Sequence, residues 1–391
     1  MTTKITDKNI SSIANLFVSW QSVITADGST TTTGVAGRGY FINTTSAAHT
    51  FTLPTIATAG DTISIKDYAG TFASNKLTIE RNGHKIQGVD NNSLIGTNRA
   101  SITLVYIDVT RGWEYVKESN VADLQEVLFI TATGGTITTS GNFKIHSFTG
   151  DGCFVVATLG NPVGGGSNVD YLVVAGGGGG SADGAVPQGG AGGGAGGYRT
   201  TFPSPGCNAG SFPITTTTFP ITVGAGGAGS TGTGSAGSNS IFSTITSTGG
   251  GQGGVYNNVP GYAGGSGGGG GAGSSSTGGS GNTPPVAPPQ GNPGSGAVGP
   301  GTPGAGGGAG GAGSGQNGGS GAISSIDGSP VTRAGGGASG TPGGSAGPGG
   351  GGSRSTAGTP NTGGGGGGGN SPGCNGKSGG SGIVVIRYKF Q

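Results

Sequence analysis

The sequence predicts a mainly β chain in two parts: an N-terminal β-sandwich or barrel, then a glycine-rich domain of packed polyglycine-II helices on a small basal β-sheet. Three observations carry this. Composition breaks near Gln125: residues 1–126 hold 21 of the 32 charged side chains and 10 of the 99 glycines, while residues 127–391 hold 89 glycines and 19 of the 20 prolines. Before the break, β-branched and aromatic residues alternate with polar ones at period two. After it, long glycine blocks alternate with short apolar runs, the last being GIVVIRYKF at 382–390.

The chain opens with ITDKNISSIANLFV at 5–18, which places Ile5, Ile10, Ile13, Leu16 and Phe17 at helical spacing with Thr6 or Asp7 as N-cap. This predicts a helix or arm over 1–19, packed on its own domain or docked to a partner subunit. A compact sandwich follows over 20–126. Its strands are FTLP (51–54), DTISIKDY (61–68), KLTIERNGHKI (76–86) and SITLVYIDVTRGWEYVKE (101–118), separated by turn residues at Ala59-Gly60-Asp61, Asn82-Gly83 and Thr110-Arg111-Gly112. Asn82-Gly83 is the strongest hairpin signal, because both residues tolerate the positive φ of a type I′ turn. His49 at a strand start and His84 after the Asn-Gly turn read as exposed polar residues. Asp61, Asp67, Asp90 and Asp108 stand singly, and no HExxH, GxSxG or paired-carboxylate spacing occurs. The domain is expected not to be an enzyme, and no catalytic residue, cofactor or metal site is assigned.

The glycine-rich domain spans 127–391. NFKIHSF, GCFVVA and DYLVVA read as strands, followed by YRTTFP (198–203), FPITVGAGG (219–227), NSIFSTIT (239–246) and the closing run. Glycine without a fixed third-position period is not collagen. Pro/Gly/Ser-rich tracts are ordinarily flexible linker, but disordered chains stay soluble through charge, and this region has 11 charged residues in all. A linker would also have no use for IVVIRYKF, which needs strand partners; NFKIHSF, GCFVVA and DYLVVA are the available ones. The blocks therefore read as an insertion closed at its base by a small sheet. Few side chains are present to bury, so the backbone must supply the cohesion. Extended left-handed helices of three residues per turn point every N–H and C=O outward. Without Cβ atoms they can pack side by side, and a net hydrogen bond of about 0.5–1.5 kcal/mol per residue offsets glycine's extra entropy of about 0.5–1 kcal/mol. The interspersed Ala, Ser and Asn are expected on outer faces. The basal strand should end near Ala175 and the first glycine helix begin at Gly176.

The order KIHSFTGDGCFVV, VDYLVVAGGGGG, GGGAGGYR, FPITVGAGGAG and GGSGIVVIRY, with its elements at His146/Phe148, Val173–Gly180, Ile221–Gly227 and Ile383–Tyr388, resembles the glycine-rich domain of phage tail-fibre and adhesin proteins. The N-terminal part, through FTLPTIATAGDTISIKDYAGTF and ITLVYIDVTRGWEYV, is more loosely similar to small β-domains in virion structural proteins of marine podoviruses. The resemblance implies a virion protein made in the host cytoplasm: a tail fibre or surface appendage for host attachment, trimeric, whose N-terminal region contacts other virion proteins. Loops between glycine helices at the distal edge would then meet a host cell-surface receptor, a glycan or an outer-membrane protein. The candidate contact residues are Tyr256, Asn257 and Tyr262, Pro284 and Pro288 in NTPPVAPPQGNP (282–293), and Asp327 and Arg333 in Ile323–Arg333. Tyr256 and Tyr262 could instead pack on glycine faces. A capsid decoration or spacer protein is the alternative, and a non-viral glycine-rich or ice-binding protein a more distant one.

Charge and patterning exclude several partners. A net charge of +2 without a basic cluster gives no footprint for nucleic acid. No apolar run approaches the roughly 18 residues of a membrane-spanning helix, and MTTKITDKNISS lacks a signal peptide's apolar core. Cys153, Cys207 and Cys374 lie far apart without CxxC spacing, which fits synthesis in a reducing compartment.

Overall fold

The structure, a computed structural model, describes residues 18–120, 127–162, 164–182, 189–202, 211–370 and 374–391. The expected N-terminal helix with its Thr6 or Asp7 cap lies outside these residues, as does Cys207. The chain divides into two compact units, Met1–Gln125 and Glu126–Gln391. All regular elements of the described residues are strands.

The first unit begins with β1 (Ser19–Trp20), β2 (Ile24–Thr25), β3 (Thr31–Thr33), β4 (Arg38–Asn43), β5 (His49–Thr52), β6 (Thr62–Asp67) and β7 (Leu77–Glu80), and ends with β8 (Ser93–Ile95), β9 (Ala100–Tyr106) and β10 (Trp113–Asn120). From β2 to β7 successive strands alternate between two sheets, and each pairs in parallel with the strand two places on: Ile24 with Ile42, Thr31 with Thr50, Arg38 with Ile63, His49 with Leu77. The chain thus coils, and each strand of one sheet is the crossover for the other. Antiparallel strands finish the stack, β8 on β7 and β9–β10 on β6. The sheets enclose one apolar core around Tyr40, Ile42, Phe51, Leu53, Ile63, Ile65, Leu77, Ile79, Leu104 and Trp113. This is a two-sheet sandwich, wound rather than folded from hairpins.

Two expectations are corrected here. Asn82 and Gly83 do adopt positive φ, +49° and +89°, and the turn is closed by the His84 N–H to the Arg81 carbonyl. No hairpin results, because β7 takes its antiparallel partner from β8 instead, with Leu77 opposite Ile95. His49 is not exposed: it is 3% accessible, inside the coil, with Nε2 3.0 Å from the Thr32 hydroxyl. The inward phase of β5 that buries Phe51 also buries the residue two before it.

The second unit has a basal pair of sheets. One contains β12 (Thr136–Ser140), β13 (Phe143–Phe148), β23 (Ile383–Lys389), β15 (Asn168–Val174) and β16 (Tyr198–Thr200) in that order, with β17 (Phe212–Pro213) also on β15; the other contains β11 (Thr131–Thr133), β14 (Gly152–Thr158), β18 (Thr218–Thr222), β19 (Ser240–Phe242) and β20 (Ile245–Ser247). The C-terminal strand is central, antiparallel to both β13 and β15. GCFVVA, expected beside it, lies in the other sheet and meets it face to face, with Phe154 6.2 Å from Tyr388 between ring centres. Phe148, Phe154, Tyr171, Phe242 and Tyr388 fill the space between the sheets. The opposite face of the first sheet packs on a hairpin of β21 (Ala322–Ser324) and β22 (Val331–Arg333) and on the inner ends of the glycine runs, through Leu172, Val174, Ile326, Ile383 and Val385.

His146 of β13 joins the layers. It is fully buried; its Nδ1–H donates to the Gly134 carbonyl (2.7 Å), and its Nε2 accepts from the Tyr388 hydroxyl (3.0 Å). Burial first, then the nearby Lys144, hold its pKa below the ordinary histidine range, against the raising effect of the Gly134 bond. Burial pushes the Tyr388 phenol up to about 12, despite a hydrogen bond from Ala132. The pair is therefore a neutral imidazole accepting from a neutral phenol.

Candidate functional site

The glycine block is built outward from the end of β15. Ala175 is the last residue held as in a strand, its N–H on the Gly197 carbonyl, and the lattice begins with Gly176. The N–H groups of Gly176 and Gly179 donate to Ser238 and Ser235, those of Gly177 and Gly180 to Gly380 and Lys377, and those of Gly178 and Ser181 to Gly194 and Ala191. Every third residue thus addresses the same neighbour, as three residues per turn requires. The carbonyls of the same run accept from Gly250 and Gly253, from Gly366 and Gly369, and from Gly227. One helix is bonded to six others, so the blocks are ordered polyglycine-II helices and not slack chain.

The lattice admits no side chain at these glycines. A Cβ on Gly176, Gly177 or Gly178 would lie 2.0–2.3 Å from the carbonyl oxygens of Ala225, Gly364 and Gly251 respectively. The expectation that the interspersed small residues lie outside is corrected: Ala191, Ala195, Ala305, Ala338, Ser181 and Ser339 are buried. A methyl fits where it faces glycine. Ala191 faces Gly253 and Ala182 faces Gly369, where a second Cβ would stand 3.2 and 2.6 Å away. Ser181 stays inside because its hydroxyl joins the lattice, donating to Gly254 and accepting from the Ala191 N–H (2.8 Å).

Because each run starts or ends on the basal sheets, the bonds sort the connecting turns into a basal set and a far set. The seven candidate contact residues do not share one end. The 282–290 loop is basal: Asn282 and Thr283 donate to Gly265 and Gly264, and the Gln290 side chain accepts from Thr248 next to β20. Pro284 and Pro288 therefore lie at the base. Asp327 and Arg333 are paired to each other in the β21–β22 hairpin, Arg333 being 6% accessible against the basal sheet. That hairpin covers apolar surface, which is why its charged residue is buried with a partner. Tyr262 is 41% accessible part-way along a run, its N–H on the Gln252 carbonyl.

Tyr256 and Asn257 do lie at the far end, in the turn between the 249–254 and 259–264 runs. Asn257 and Asn258 both have positive φ, +67° and +63°, and the Asn258 side chain accepts from the Ser275 N–H (3.0 Å), which ties this turn to its neighbour. Beside them stand the 297–303 turn with exposed Val298, and a polar set that sequence reading missed. In that set Gln316 donates to the Thr341 hydroxyl, Ser339 lies 3.0 Å from Thr341, and Asn317 accepts from the Ser345 N–H. Nothing in the local sequence marks these residues; the lattice brings them together. The turns 255–258, 272–276, 297–303, 314–317 and 341–345 contain no charged residue. Among the described residues, these five turns offer amides, hydroxyls and one tyrosine on a backbone fixed by the helices behind them. Arg354 in the 353–356 turn and Lys377, which accepts from Gly180 through its carbonyl, bring charge to other parts of the same end.

A family model described as a glycine-rich domain matches residues 156–389. No curated protein matches the chain.

Proposed function

The chain belongs to the glycine-rich domain family, and we propose that it is a bacteriophage virion structural protein, a tail-fibre or adhesin-type appendage used in host attachment. The observation that carries this reading is the far face of the glycine block. A lattice in which one helix is bonded to six costs little flexibility when a ligand arrives, and around Tyr256 it presents short turns without charge, Arg354 and Lys377 standing in other turns of the same end. Amide and hydroxyl groups held rigidly suit a neutral polyhydroxylated ligand, since preorganised donors and acceptors lose little entropy on binding. A host-surface glycan is therefore the receptor class, with Tyr256 and Asn257 as contact residues; a tyrosine adds apolar area at low entropic cost. The first unit then serves to join the rest of the particle.

Competition for host adsorption tests the reading. The purified chain should reduce adsorption of the parent phage, and Asn257→Ala with Tyr256→Ala should compete at least tenfold less well. A folded chain that does not compete sinks the attachment role, and density on the capsid instead of the tail in a particle map would make it a decoration protein.

A further inference from the structure

The strand stack of the first unit has two unlike ends. At one end the edge strands are β10 and β8. β10 carries Glu114, Lys117 and Glu118, and its register with β9 shifts between Tyr115 and Lys117. Charges and bulges on an edge discourage further pairing. At the other end the edges are β1 and β2 in one sheet and β3 in the other. Residues 18–37 contain a single charged side chain, Asp27, and its carboxylate is already engaged within its own turn by Ser29 and Thr30. Three large apolar side chains, Trp20, Val23 and Val35, are 42–46% accessible there.

This end also has backbone capacity to spare. Ser19 donates to the Gly37 carbonyl just before β4, Gln21 and Ala26 donate to carbonyls of β4, and Gly34 donates to Thr52 at the end of β5. Alternation along a strand turns the N–H groups of Trp20, Thr25, Thr31 and Thr33 the other way, toward the open side. Among the described residues both sheets stop at the same end of the stack, with an edge that lacks the charges of the opposite one; in the first sheet it steps by one residue between Trp20, opposite Gly39, and Ile24, opposite Ile42, while β3 in the second pairs without a break.

We propose that this end pairs with the same end of a second copy of the chain, antiparallel, about a two-fold axis perpendicular to the sheets. Such an isologous contact continues both sheets at once. It places threonines of β3 against threonines, a favourable cross-strand pair. The turn carrying Asp27 lies at one lateral margin of the stack, between β2 and β3, so the axis sends the two copies of Asp27 to opposite margins and no like charges meet. An uncharged edge is complementary to itself, and that is what selects a second copy over a charged partner.

Sedimentation and light scattering of the full chain over a hundredfold concentration range test this. The expected result is a dimer, which Thr25→Lys with Thr31→Lys weakens at least tenfold, while Ser119→Lys on β10 leaves it unchanged. Trp20 emission should shift with association, buried Trp113 contributing a constant background. Retained thermal stability of the variants would show that the exposed substitutions spare the fold. Three outcomes overturn the proposal: a monomer at every concentration, as when residues preceding Val18 occupy the edge; an odd-numbered closed oligomer; or a dimer indifferent to both edge lysines.

Discussion

Phe51 in the first unit and Gly178 in the second are both buried, yet their neighbours differ in kind. Phe51 is surrounded by Tyr40, Ile63 and Ile79 from the other coils, and its contribution is apolar area removed from water. Gly178 is surrounded by backbone: it donates to Gly194 and accepts from Gly366, and the Gly251 carbonyl fills the place a Cβ would take. One unit is held by side chains and tolerates some repacking, since apolar cores accept volume-conserving exchange. The glycine lattice of the other is held by main-chain hydrogen bonds at spacings that leave no room for a side chain at glycines such as Gly178. The difference predicts opposite responses to the same kind of mutation.

The largest effect should come from adding atoms to the lattice. Gly178→Val is expected to cost about 3 kcal/mol or more, because overpacking is relieved only by moving backbone, and here the clashing atom is a bonded carbonyl. Calorimetry should show the second unit's transition lost or lowered and the first unit's unchanged. Hydrogen exchange on the unmodified chain sharpens the same point: the amides of 176–180 should exchange as slowly as those of β15, and rapid exchange would return the block to linker.

Removing atoms should matter most where side chains carry the core. Phe51→Ala in the first unit and Phe154→Ala between the basal sheets should each cost about 3–5 kcal/mol. Phe154 is the sharper test, since its loss should lower the transition of the lattice that stands on it.

Acid should act on both units through a buried histidine. The folded-state pKa of His146 is depressed, chiefly by burial, so the unfolded chain takes up the proton first. The associated stability is complete above the ordinary histidine value of about 6.5 and is lost as pH falls below it. Protonated Nε2 can no longer accept from Tyr388. His49 is shifted in the same direction by burial, with Asp27 opposing. Unfolding midpoints followed from pH 7.5 to 5 should fall for both units, and His146→Gln should remove the trend from the second unit alone.

The smallest effect tests conformation without packing. Gly83→Ala places a methyl in open space but at φ +89°, and should cost the first unit about 1–2 kcal/mol.

Periodicity and composition determined much of this in advance. Alternating β-branched residues marked β6, β9 and β10 because a half-buried strand leaves that imprint. The apolar run at 383–389 announced a strand needing partners on both sides. The scarcity of charge in the glycine blocks pointed to order, since an uncharged disordered tract has little to keep it in solution. Connectivity left no such imprint. A strand that coils to the opposite sheet and one that turns back in a hairpin carry the same alternation, so the parallel pairing of Ile24 with Ile42 and the choice of β8 over the Asn82-Gly83 hairpin were decided by packing. The same holds for the far face. Which turns lie beside Tyr256, and which, like Pro284 and Arg333, lie at the base, depends on the direction in which each glycine helix runs. Glycine sequence is indifferent to that direction, because without side chains only the bonded neighbours distinguish one end of a run from the other.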